Sequence, residues 1–235
     1  MSSRGFTFKQ FHINHDRCAM KVGTDGILLG AWVTLAQAKR ILDVGTGSGL
    51  VALMLAQRTT PEVKIIGLEL DKQAAIQACE NVAASPWPQK VVIKQGALQA
   101  YQEQPFDLIV ANPPYFKPGQ AFECQARQHA RHTSSLSLAD LFKHTKRLLQ
   151  PSGRLAVILP YQALDIARQE AQLNNLYLVE QQEVYTKEGK EASRFLGLFC
   201  SVKSQEIREQ LWINTANQGY SESYLRLVRP FYLKL

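Results

Sequence analysis

No stretch of this 235-residue chain approaches the roughly 20 consecutive apolar residues that a membrane span needs. Its first nine residues lack the apolar centre of a secretory signal. No membrane partner is therefore expected, and the location expected is the cytoplasm. Cysteine is scarce: Cys18, Cys79, Cys124 and Cys200 stand far apart with no Cys-x-x-Cys, so neither a disulfide framework nor a zinc knuckle is signalled. Cys124, His129 and His132 lie close together, but a fourth ligand is missing and Arg127 and Arg131 intervene, so no metal is expected. Linker-like and low-complexity tracts are absent as well. The expectation is a monomer with one domain over residues 1–235, opened by a short arm over about 1–36.

Acidic residues are outnumbered 20 to 27, a net charge of +7, and the imbalance is uneven. Residues 1–40 carry +4, 41–111 carry −2, 112–147 carry +4 and 148–235 carry +1. The excess flanks a region that is not itself basic. That suits a polyanionic substrate approaching a neutral pocket, because neutralised phosphates supply most non-specific nucleic-acid affinity. A merely soluble basic surface would carry the same charge.

What is present centres on residues 41–50, Ile-Leu-Asp-Val-Gly-Thr-Gly-Ser-Gly-Leu. A short apolar strand runs into three spaced glycines, and Leu50 to Gln57 then reads as helix. Glycines in such a turn let the backbone bend sharply and come close to a ligand. A dinucleotide turn would put its last glycine at Leu50, and the Gly-Lys-Ser/Thr of a phosphate loop is missing. The remaining pattern, Asp43-x-Gly45-x-Gly47-x-Gly49, resembles motif I of the class I S-adenosylmethionine (AdoMet) methyltransferases. Glu69 ends a second strand (Val63 to Glu69), 24 residues beyond Gly45. There a carboxylate can accept hydrogen bonds from both hydroxyls of a ribose. Asp71 is expected to cap a helix from Lys72 to Ala84. A third strand, Val91 to Lys94, leads to Ala97, where many AdoMet enzymes place an Asp for the adenine amino group. The adenine is then expected to rest on backbone amides and apolar contacts at Ala97 and Leu98.

A fourth buried strand, Phe106 to Ala111, delivers Asn112-Pro113-Pro114-Tyr115 to the strand ends where open α/β sheets bind ligands. The prolines fix φ and remove donors, leaving carbonyls free beside the Asn112 amide. Such acceptors fit methyl transfer to an exocyclic amino group. Its lone pair is delocalised until its two hydrogens are bound and the nitrogen pyramidalises, so no general base is required. Tyr115, with Phe116, offers a face for an unstacked base. Phe116 to Ser135 reads as a basic lid, and the candidate RNA contacts are Lys9, Arg17, Phe116, Lys117, Arg127 and Arg131.

In the arm, Phe6, Phe8 and Phe11 alternate with polar residues as a short, half-exposed strand. Lys21 to Trp32 pairs a polar turn with an apolar helix. Thr24 or Asp25 caps that helix, or the turn closes over the cofactor; the residues alone leave both open. Beyond the lid, Ser137 caps a helix with an apolar face at Leu138, Leu141, Phe142, Leu148 and Leu149. Pro151 to Gly153 turns into a fifth strand (Leu155 to Leu159), a helix spans about Ala163 to Leu173, and strands Leu176 to Val184 and Arg194 to Val202 end the sheet in antiparallel fashion. The basic, aromatic C-terminus (Tyr220 to Leu235) either packs or touches RNA.

With these segments placed, the chain resembles the tRNA1(Val) (adenine-37-N6)-methyltransferase family over nearly its whole length. The most specific match is Phe6-Thr-Phe-Lys-Gln-Phe with His15 to Trp32, beside Asp43 to Gly49 and Asn112 to Tyr115. The resemblance implies an α/β, Rossmann-like, seven-stranded mixed sheet with helices on both faces and an antiparallel last strand. It also implies AdoMet as methyl donor, tRNA as partner, a target adenine beside the anticodon, and Lys21, Thr24 and Asp25 bordering the methionine. Glutamine methyltransferases of release factors share Asn-Pro-Pro-Tyr but call for an N-terminal helical domain that 40 residues leave little room for. Ribosomal-RNA guanine methyltransferases are a further alternative.

Overall fold

In a computed structural model of the chain, residues 5–114, 136–217 and 219–234 are described. Tyr115, Phe116, Lys117, Cys124, Arg127, His129, Arg131 and His132 lie outside them, so the expectations placed on those residues are not addressed by the geometry.

The centre of the sheet is β3 (Arg40–Val44), whose Ile41, Leu42 and Val44 are all buried. Successive side chains of a strand face opposite ways, and a parallel strand covered on both faces must therefore be apolar throughout. Ile41 joins one core cluster and Leu42 the other; Leu108 and Ile109 of β6 (Phe106–Ala111) divide in the same way. Parallel neighbours are β4 (Lys64–Glu69) beside β3, β5 (Val91–Gln95) beside β4, β6 on the other side of β3, and β7 (Leu149–Pro160) beside β6. β9 (Ala192–Cys200) runs antiparallel to both β7 and β8 (Tyr177–Lys187), and β10 (Ile207–Asn214) lies parallel to β8 at the edge. The order is β10-β8-β9-β7-β6-β3-β4-β5.

Among the described residues the sheet thus has eight strands, not seven. The antiparallel strand is β9, the seventh in order, and the last strand in the chain is parallel. β10 escapes a sequence reading because as a charged edge strand it buries only Leu211. Pro151 to Gly153 is not a separate turn either. It is absorbed into β7, whose pairing with β6 jumps from Phe106↔Leu149 to Leu108↔Arg154.

Helices cover both faces. α1 (Thr24–Trp32) and α2 (Leu50–Arg58) belong to one core cluster; α4 (Leu138–Leu148) and α5 (Leu164–Leu173) belong to the other. In sequence between these pairs, α3 (Lys72–Ala83) is capped as expected, Asp71 Oδ1 accepting from the Ala74 amide at 2.8 Å. Ser137 caps α4 in the same way at 3.0 Å. The expected cap of α1 is corrected: neither Thr24 nor Asp25 fills that place, since its N-cap is Gly23, with no side-chain hydrogen bond.

The arm is a two-stranded hairpin, β1 (Gly5–Thr7) and β2 (His12–Asn14). Phe8 and Phe11 are buried rather than half-exposed, their rings stacked at 4.6 Å. The C-terminal residues pack: α6 (Glu222–Val228) and the following turn bury Tyr224, Val228 and Phe231, and Phe8 bridges to Tyr232. Asn81 of α3 fastens this assembly to the sheet. Its Oδ1 accepts from the Asn14 amide at 3.0 Å, while Nδ2 donates to the carbonyls of Asn14 and Ser48, both at 2.8 Å.

Because Asn81 is buried and satisfies three backbone groups, truncating it removes all three hydrogen bonds, one of them to the buried Ser48 carbonyl. Asn81→Ala should lower stability in urea unfolding by about 2–4 kcal/mol. A loss below about 1 kcal/mol would show that the arm is held by its aromatic packing alone.

Candidate active site

The loop after β3 is shaped by left-handed glycines and fixed by two carboxylates. Gly45 and Gly47 have φ of 68° and 55°, and a Cβ added at Gly45 would meet nothing within 4 Å. Backbone conformation therefore demands glycine there, and the space above is open. The Leu68 carbonyl accepts from the amides of Gly45 (2.8 Å) and Thr46 (3.1 Å). Asp43 Oδ2 accepts from Thr46 Oγ1 at 2.6 Å and from the Ala52 amide at 3.1 Å, tying strand end, loop and helix start together. Glu69 Oε2 accepts from the Gly47 amide at 2.8 Å and Oε1 from the Asp71 amide at 2.9 Å. Each carboxylate oxygen has a second lone pair, so Glu69 still has acceptor capacity for a hydroxyl pair.

Two adjoining cavities open above this loop. One, about 450 Å³, is bordered by Lys21, Thr24, Asp25, Asp43, Gly45 and Gly47. The other, about 260 Å³, is bordered by Glu69, Asp71, Ala97 and Leu98, with Leu68, Leu70 and Ala74 giving it an apolar wall. Met20, Gly45, Gly47, Asn112, Pro113 and Pro114 border both. Asn112 thus stands at the junction, carried there by β6, whose last four residues are fully buried. Among the described residues the Asn112 side chain makes no hydrogen bond, which leaves its oxygen free to accept.

Gly49 is set apart from this group. It lines neither cavity, and a Cβ there would meet Ala78 of α3 at 3.6 Å, so with φ of 84° its place is the N-cap of α2 packed on α3. Of the RNA candidates, Lys9 donates through Nζ to the Arg229 carbonyl at 2.7 Å, and Arg17 pairs with Glu80. Both charged heads are engaged within the fold. Sequence reasoning missed Arg194, at the start of β9, which lines the larger cavity and donates from Nε to Asp25 Oδ2 at 2.9 Å. No local motif marks it; only the antiparallel return of β9 brings it to this edge.

The lining carries carboxylates at Asp25, Asp43, Glu69 and Asp71 against Lys21 and Arg194, which suits a cationic ligand. Burial, joined by the charges of Glu69 and Asp71, pushes the Cys18 thiol beside the smaller cavity up to about 11, which favours the thiol over the thiolate near neutral pH.

The methyltransferase small domain family matches residues 20–187. A tRNA1(Val) (adenine(37)-N6)-methyltransferase of Aeromonas salmonicida (strain A449) is 51% identical over 231 residues, 98% of each chain. The chain belongs to this methyltransferase family. Solved structures agree on the fold. A predicted O-methyltransferase of Agrobacterium tumefaciens superposes with a TM-score of 0.70 at 15% identity, covering 88% of this chain and 96% of its own. The glycopeptide N-methyltransferase MtfA, in complex with S-adenosylmethionine, gives 0.56 at 12% identity, covering 77% and 89%.

Within this family member, Asp43 has a measurable signature. Burial pushes its carboxyl from the ordinary 3.8 up to about 7, against the lowering effect of the Thr46 and Ala52 hydrogen bonds. The native state then holds this proton more tightly than the unfolded chain does. The resulting stability is whole at low pH and is lost as pH rises from about 4 through about 7. Asn keeps an acceptor for Thr46 and Ala52 but cannot ionise. Asp43→Asn should therefore gain stability relative to the parent by on the order of a few kcal/mol between about pH 4 and pH 8 in urea melts. Parallel pH profiles for the two proteins would show that the Asp43 carboxylate is not destabilised by burial.

Proposed function

We propose that the protein transfers a methyl group from AdoMet to the exocyclic N6 amino group of an adenine in tRNA, adenine-37 of tRNA1(Val) being the specific target. The observation that carries this reading is Asn112 with Pro113 and Pro114 at the junction of both cavities, its side-chain acceptor unengaged among the described residues. Relatives named for that reaction match 98% of the chain, which favours tRNA over release factors or ribosomal RNA.

The residues fit AdoMet. Open space over Gly45 and Gly47 admits a ligand against bare backbone, Glu69 faces the smaller cavity as ribose acceptor, and Ala97, Leu98 and Leu70 offer the adenine an apolar slot. The start of α1, which has no side-chain cap, sets Thr24, Asp25 and Gly26 at the border of the larger cavity, an arrangement suited to a carboxylate, with Lys21 beside it. When bound, AdoMet supplies an electrophilic methyl on a sulfonium.

The chain's own task is to make an amino group nucleophilic. The Asn112 side-chain oxygen and the Pro113 carbonyl accept the two N6 hydrogens, which localises the nitrogen lone pair. These acceptors hold the nitrogen most tightly as positive charge develops on it, so they stabilise the transition state more than the ground state. Being neutral, they do so without trapping the cationic donor. The excess proton on the methylated nitrogen is acidic enough to leave to water, so no base need be identified. Tyr115, by the same reading, supplies a stacking face for the extruded base.

Asn112→Ala should leave AdoMet affinity and fold nearly intact and lower single-turnover methyl transfer to tRNA by about a hundredfold or more, the scale of losing one preorganised polar group. Asn112→Asp should recover only part of the rate, since a full negative charge also favours the ground state. Near-parental transfer by Asn112→Ala, at saturating AdoMet, would remove Asn112 from the mechanism.

A further inference from the structure

The carboxyl edge of the sheet orders the site. From β4 to β9 it presents Glu69, the glycine loop, Asn112, Pro160 and Arg194, on strands β4, β3, β6, β7 and β9. The features suited to the cofactor's ribose and adenine lie on β3, β4 and the loop after β5, on one side of Asn112, while the start of α1, suited to its carboxylate, reaches Arg194 through Asp25. Arg194 lies on the other side. It pairs directly with Pro160, and β7 is the neighbour of β6. Two strand spacings of about 4.8 Å separate its strand from that of Asn112, roughly 10 Å across the acceptor half of the cavity.

The guanidinium is held as a rigid fork. Nε donates to Asp25 Oδ2 at 2.9 Å and Nη1 to the Ser193 carbonyl at 2.9 Å, while Nη2 has no hydrogen-bond partner among the described residues. The side chain is 36% exposed and borders the larger cavity. Arginine presents donors in a fixed planar geometry that matches the oxygens of a phosphate. A carboxylate that fixes one edge of the fork spares most of the side-chain entropy otherwise lost on binding.

We propose that Arg194, oriented by Asp25, binds a backbone phosphate of the substrate RNA next to the extruded adenosine and so positions its amino group at Asn112. This rests on the reading of the protein as a tRNA methyltransferase. A base taken out of its stack reaches the site on its sugar-phosphate backbone, so a phosphate anchor is needed at the open rim of the cavity, on the side of Asn112 away from the cofactor's ribose and adenine. The contact carries no base identity. It fixes register, and specificity for adenine stays with Asn112 and the tetrapeptide.

The test compares Arg194→Ala and Arg194→Lys with the parent, reading AdoMet affinity by calorimetry and single-turnover methylation as a function of tRNA and salt concentration. Arg194→Ala should raise the tRNA concentration for half-maximal rate about ten- to a hundredfold, the scale of a charged hydrogen bond, with AdoMet affinity changed less than about twofold. The slope of log affinity against log salt should fall by about one phosphate contact. Lysine, a point charge without the fork, should restore the salt slope but only part of the affinity, and it reads the same quantities should the alanine variant fail to fold. A tenfold or greater loss of AdoMet affinity with unchanged tRNA dependence would overturn the proposal and assign Arg194 to the cofactor carboxylate. Unchanged tRNA dependence and salt slope in folded variants would overturn it too, leaving the parent's activity as evidence that the underlying reading stands. A parent protein that methylates no tRNA would overturn both.

Discussion

The site depends on one constraint: a loop of left-handed glycines keeps its shape because two carboxylates and the Leu68 carbonyl hold it. Glycine at Gly45 and Gly47 makes the conformation possible but does not choose it, since glycine visits many others at equal ease. The choice is made by the Glu69 contact to the Gly47 amide and by Asp43 gripping Thr46 and Ala52. Because Glu69 comes from β4 and Asp43 from β3, the parallel pairing of those strands sets the loop. The same pairing, carried on to β6, sets Asn112 relative to it. Asp43 is held at an energetic cost, visible in its raised ionisation range, and hydrogen bonds to the loop and to α2 offset that cost.

Around this centre the arm and the C-terminal residues act as a clasp. Asn81 joins β2 to the Ser48 carbonyl, so the arm is fastened to the glycine loop itself. Phe8 and Tyr232 close the hairpin onto the residues after α6. The path from β2 to α1 then crosses over the site, where Cys18, Ala19 and Met20 border the smaller cavity and Met20, Lys21 and Gly23 to Gly26 the larger. A basic count of +4 over residues 1–40 is therefore partly structural: Lys9 ends the chain segment after α6 and Arg17 pairs with α3. Charge alone could not reveal that, because a count does not say which cations already have partners.

Legibility tracked how locally each feature is encoded. The glycine loop, the end of the strand at Glu69 and the turn from Asn112 to Pro114 were legible because turn conformation and strand ends leave marks on adjacent residues. The Asp71 and Ser137 caps were legible for the same reason. β10 was not, since an edge strand that buries only Leu211 leaves too little apolar alternation to read. Asp25 looked like a cap, yet its carboxylate is committed to Arg194, a residue 169 positions away that no pattern connects to it. Gly49 shares the glycine pattern of the loop, yet it lines neither cavity and packs against α3 as the N-cap of α2.

A fixed loop, an apolar slot and a neutral acceptor at their junction describe a machine for methylating an exocyclic amino group, and the product identifies the acceptor. The most direct measurement offers the protein labelled AdoMet with total tRNA, ribosomal RNA and release factors in parallel, followed by nucleoside and amino-acid analysis. The account predicts label in tRNA as N6-methyladenosine, with ribosomal RNA and release factors unlabelled. Label recovered as a methylated guanine in ribosomal RNA, as methylglutamine in a release factor, or in no acceptor at all would contradict it.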